Sequence, residues 1–159
     1  MTDTVKDEIQ RAIDHLGLKE SDIRLLADSE GRSVYSAALS RFVVSGDRLW
    51  WWEDFRFPCT RVHFEDQLGF QRIERIVPAL DEVVWFIAED DSLAYPVYEA
   101  TPRAIQAVIG DCYGFEYYMI AKDFTWLICE THHDLLIGIG SAVEERLQQE
   151  QRYPGCVFM

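Results

Sequence analysis

With 159 residues, 48 % of them hydrophobic, the chain has the length of one ordinary domain and enough apolar side chains to fill its core, so a single domain over residues 1–159 is expected. Its 28 acidic and 15 basic residues give a formal net charge of −13. That field repels phosphate backbones and anionic membranes and attracts cationic proteins, so nucleic acid and membrane are excluded as expected partners and a basic protein is admitted.

The acidity is uneven. Residues 81–145 hold thirteen acids with only Arg103 and Lys122 as bases, a net of −11, whereas residues 1–80 carry a net of −3. Such a surface also serves solubility in its own right. The opening MTDTVKDEIQ contains no apolar run of the kind a signal peptide needs, and no segment approaches roughly 18 apolar residues. A soluble, cytoplasmic protein is the expectation. Cys59, Cys112, Cys129 and Cys156 are widely spaced with no CxxC pair, which predicts free thiols rather than disulfides or zinc ligands.

Val5, Ile9, Ile13 and Leu16 recur at helical spacing, which predicts a helix over 4–16 opened by Thr4 and Asp7 in a capping-box arrangement and stopped at Gly17. A short second helix is expected from Ser21 to about Asp28, before a turn at Gly31. A third is expected over 34–43, where Val34, Ala38 and Phe42 share a face.

Next comes RLWWWEDFRF, residues 48–57, with three tryptophans and two phenylalanines in ten positions. In a strand Trp50 and Trp52 share a face and Trp51 opposes them; in a helix the three span about 200° of the circumference. One must therefore be partly exposed unless another layer covers it. Tryptophan is favoured in binding hot spots, but it serves more often as a core wedge between helix and sheet.

Residues 61–65 alternate as a short strand, and residues 70–76 read as helical turns ending before Pro78. In EVVWFIAED the unbroken apolar run at 83–88 predicts a central strand covered on both faces. Residues 95–100 continue as a strand, and Thr101-Pro102 opens a helix carrying Ile105 and Ile109. Residues 115–122 and 125–131 form a hairpin around Lys122-Asp123, 135–139 add a last strand, and a helix follows from about 141 to 149. The expected class is α+β: N-terminal helices packed on a mostly antiparallel sheet, with a crossover helix and a C-terminal helix.

Two sets of residues carry candidate function. The partner-binding set is Trp50, Trp51 and Trp52 with Glu89, Asp90 and Asp91, which close the central strand, and Glu99 on the next. The alternative polar site is Glu130, His132, His133 and Asp134 in WLICETHHD. If this stretch is extended, His132 and Asp134 share the face of Glu130 while His133 points away, so the two histidines cannot enter one metal. Zinc commonly needs three or four ligands, and His132 with Asp134 or Glu130 would need a distant one such as His63 to complete the set, so no metal and no cofactor are expected. A turn at 131–134 would relax that geometry. Cys59 and His63 lie about 13 Å apart if extended, too far for a thiol–imidazole pair. No GxSxG, HExxH or phosphate-binding glycine loop is present, and no catalytic residue is assigned.

The order of N-terminal helices followed by acidic aromatic strands, with EYYMIAKDFTWLICETHHD as a hairpin, resembles small bacterial domains of unknown function. It is also loosely similar to SUKH-type proteins, many of them implicated as immunity proteins of polymorphic toxin systems. The resemblance covers mainly residues 80–145 and is one of pattern, so no residue's role is carried over. It implies a non-enzymatic protein that binds and neutralises a basic toxin. The alternative is a small enzyme or metal-binding protein centred on His132, His133 and Asp134.

Overall fold

The computed structural model describes residues 4–44, 51–90, 95–112, 114–150 and the strand at 156–158. Trp50 and Asp91 lie outside the described residues. Helix α1 (Val5–Leu16) forms as its local signals dictate. Thr4 accepts from the Asp7 N–H, the Asp7 carboxylate accepts from the Thr4 N–H, and Gly17 ends the helix at φ 67°.

The chain then departs from the expected second helix. Ile23–Leu25 is strand β1, paired antiparallel with β4 (Val97–Ala100), and a single helix α2 runs over Asp28–Phe42. Pairing of Ile23 with Ala100 and Leu25 with Tyr98 overrides the local helical reading of a three-residue segment. Gly31 sits inside α2 rather than at a turn, where a Cβ would lie 3.7 Å from that of Val97.

The remaining elements are β2 (Thr60–Phe64), α3 (Ile73–Ile76), β3 (Val84–Ala88), α4 (Pro102–Gly110), β5 (Tyr117–Ile120), β6 (Leu127–Glu130), β7 (Leu135–Ile139), α5 (Ser141–Gln149) and β8 (Cys156–Phe158). The last was not expected. They complete one α+β fold whose eight strands run in the order β1-β4-β3-β5-β6-β7-β2-β8, every described pair antiparallel. Pro96 has no N–H to give the ladder, and β4 begins one residue after it. Thr101 caps α4, which carries the chain over β3 to β5.

Alternation sends Phe64, Phe86, Tyr117 and Ile128 to one face, where α1, α3, α4 and α5 pack, and sends Ile87, Tyr118, Leu127 and Cys129 to the other, beneath α2 and Trp51. Residues 84–88 read as apolar throughout because both faces of β3 are covered. Among the described residues no helix is long and apolar enough to cross a membrane.

Candidate functional site

The β6–β7 connection is a tight turn. Thr131 N–H donates to Leu135 O at 2.9 Å, Asp134 N–H donates to Thr131 O at 3.1 Å, and Asp134 takes the left-handed conformation at φ 61°. This three-residue loop closes on a residue in the region glycine usually fills. His132 and His133 thus occupy a hairpin tip, with ring centroids 3.9 Å apart instead of on opposite faces of a strand. Trp52 presents its edge to both, at 6.1 and 5.9 Å, so the aromatic passage and the histidine pair meet.

Beneath this tip lies Glu116, only 4 % exposed. Its Oε1 accepts from the His132 backbone N–H at 2.8 Å and meets the His132 Nδ1. Its Oε2 is enclosed with no hydrogen-bond partner. On the other face Glu130 stands across from Tyr117 in the β5–β6 register. Burial pushes the Glu130 carboxyl up to about 7, the nearby Tyr117 hydroxyl pulls the other way, and the Asp134 charge adds to the rise. The fully buried Tyr117 hydroxyl makes no hydrogen bond of good geometry.

A short 3-10 turn, Gly69–Arg72, lies directly over Glu130. A Cβ on Gly69 would come 2.7 Å from Glu130 Oε2 and 3.2 Å from the Phe64 ring, so a larger residue there would have to push the Glu130 carboxyl aside. Gln67, at φ 62°, turns the chain into it. Between this turn, the C-terminal end of α4 and the β6–β7 hairpin opens a cleft of about 520 Å³. Leu68, Phe70, Ile109 and Phe115 form its apolar walls; Gln67, Glu130, Thr131, His132 and Asp134 supply polar groups. Among the described residues no lysine or arginine lines it.

The partner-binding set is divided. Trp51 is fully buried, stacked on Tyr118 with centroids 4.2 Å apart, and its backbone N–H donates to the Tyr118 hydroxyl. It is a core wedge with no surface for a partner, whereas Trp52 is half-buried. Glu89 lies beside Glu116, whose carbonyl accepts from the Glu89 N–H at 2.9 Å, and Asp90 borders a groove between α2 and the start of β4. Glu99 pairs in register with Trp85, four residues before Glu89 and so about 13 Å along the sheet. There Lys122 at 2.8 Å and Arg24 at 3.7 Å engage it, and the Lys122 contact holds its carboxyl below the usual range.

Cys59 and His63 remain apart: Cys59 Sγ accepts from Arg61, and His63 pairs with Leu135. Cys59, Cys112 and Cys129 are free thiols. Among the described residues no three His, Cys, Asp or Glu side chains are grouped to hold a metal ion. Glu116, Tyr117, Gly69 and Phe70 were not anticipated as site residues. An acid between Phe115 and Tyr117 in an otherwise apolar strand was the available signal, since buried carboxylates are rare without a partner.

These features define an antiparallel α+β protein with an acidic, apolar-walled cleft at one end of its sheet. The chain belongs to DUF6756, a family of unknown function whose model matches residues 1–151. No curated protein and no solved structure matches it.

Proposed function

We propose that the chain is a non-enzymatic, cytoplasmic protein-binding module whose partner is a basic protein, in the manner of an immunity protein that neutralises a toxin. The observation that supports it is one end of the sheet, where Glu130, His132 and Asp134 line a cleft on one face that no lysine or arginine among the described residues lines, while Glu89, Glu116 and half-buried Trp52 lie toward the other face beside the same hairpin tip. Carboxylates with an aromatic anchor suit a cationic protein surface. Where a toxin gene lies beside the one for this chain, co-expression of the two should restore growth of the host. The purified pair should form a complex that weakens as salt rises. A neighbouring toxin that stays active and unbound would overturn the reading.

A second reading is acid–base chemistry at Glu130, His132, His133 and Asp134, favoured by a Glu130 carboxyl poised near 7 and by the imidazole of His132 held on Glu116. It requires turnover of a small substrate whose rate bends near pH 7 and collapses in the Glu130→Gln variant.

A further inference from the structure

We infer that the cleft receives an arginine side chain of the basic partner, an inference that rests on the protein-binding reading above. The sign of the charge follows from the lining: Glu130 and Asp134 contribute carboxyl groups, and among the described residues no lysine or arginine contributes a compensating cation. The arginine closest in sequence to the wall, Arg72, is already held by Asp66 through contacts of 2.8 and 3.3 Å.

The shape follows from the walls, where Phe70 and Phe115 offer rings and Leu68 and Ile109 offer aliphatic surface. A guanidinium is planar, stacks on aromatic faces and sheds water more readily than an ammonium, so these walls favour arginine over lysine. This chain already uses that pairing: Arg72 lies 4.7 Å over the Phe64 ring and Arg41 lies 4.7 Å over Phe57.

A separate observation concerns Tyr117. Its hydroxyl is buried beside Glu130 without a well-formed hydrogen bond, a condition that native structures rarely leave unresolved. Tyr117 does not itself line the cleft; it stands behind Glu130 with its proton directed to that carboxyl, which leaves the cleft-facing acceptors to Glu130 and Asp134. Glu130 and Asp134 then present acceptors to the planar fork.

The test uses the whole chain, isotope-labelled, and follows its amide resonances as n-butylguanidinium, n-butylammonium or n-butanol is added at constant ionic strength. Saturating shifts at Leu68, Gly110 and Thr131 are expected with the guanidinium, weaker binding with the ammonium and no saturation with butanol. Glu130→Gln should weaken the guanidinium roughly tenfold or more. Should that variant fold poorly, Asp134→Asn, whose new side chain tolerates the left-handed backbone, should still give a several-fold loss, as should Phe70→Leu. Equal binding of butanol, tighter binding of the ammonium, no binding at all, or indifference to these substitutions would sink the inference. No partner is needed for this measurement, so it fails separately from the protein-binding reading. A basic partner that binds Glu130→Gln as tightly as the parent overturns the arginine cleft and leaves that reading standing.

Discussion

Glu130 and Trp51 are adjacent to the same sheet on opposite faces, and each shows how burial redirects a side chain's chemistry. Trp51 has surrendered its surface to Tyr118 and Tyr35, with an edge-on ring centroid 5.4 Å from the latter, and contributes packing alone. Glu130 keeps contact with the cleft but loses most of its hydration, so its proton leaves near pH 7 instead of the ordinary 4.5. The groups facing it are Tyr117 from β5, Asp134 from the turn and the backbone at Gly69. Between pH 4.5 and about 7 the folded chain holds a proton that the unfolded chain has released. The folded state therefore binds more protons, and stability falls as pH rises through that window. Glu130→Gln keeps the shape without the titration. Relative to the parent it should gain on the order of 2 kcal/mol between pH 4.5 and 8, after allowance for solvent reaching the carboxyl through the cleft. Urea unfolding of both proteins across that range checks this, and parallel stability profiles would refute it.

Elements announced by local chemistry were legible in the sequence, and those made by pairing were not. Helix α1 is written in the Thr4–Asp7 box and Gly17, α4 in Thr101-Pro102, and the central position of β3 in an apolar run with no polar alternation. Strand β1 carries only three residues and becomes a strand because β4 lies beside it, which no local window contains. The site divides the same way. His132, His133, Glu130 and Asp134 stood out as residue types, but Glu116 lies sixteen positions from His132 and reaches it only through the β5–β6 register. Trp52 meets the histidines across a still longer separation. Two substitutions probe these elements. Phe86→Ala empties a fully buried site on β3 and should cost about 3 to 5 kcal/mol in urea unfolding; a loss below about 1 kcal/mol would contradict cover on both faces. Gly140→Ala acts where β7 turns into α5 at φ 101°, with its Cβ 2.5 Å from Thr125 O. Backbone strain and collision together should cost about 2 to 4 kcal/mol, and an unchanged unfolding midpoint would argue against this junction.

Across the whole molecule the fold redistributes the −11 held by residues 81–145. Glu99 is engaged by Lys122 and Arg24, and Asp81 by Arg103 at 2.8 Å, so part of the acidity is neutralised where it stands. Glu89, Glu116, Glu130 and Asp134 lie at the opposite end of the sheet from Glu99, with Glu130 and Asp134 lining the cleft and Glu116 on the other face beneath the hairpin tip that Trp52 meets. A cationic partner should therefore be drawn to that end, and faster at low salt, because the screening length shortens to roughly 10 Å at 0.1 M. Neutralising Glu89, Asp90 and Asp91 together should slow association and change dissociation less, as charges at an interface rim do. Glu99→Gln, by contrast, should alter association little because Lys122 and Arg24 already screen that carboxylate. Trp52→Ala should act on the other rate: removing a half-buried anchor speeds dissociation while leaving the long-range field intact. Stopped-flow mixing with the basic partner over a range of salt separates these effects. An association rate indifferent both to salt and to the triple substitution would assign the acidity to solubility alone, and a Trp52→Ala variant with unchanged dissociation would remove the hairpin tip from the interface.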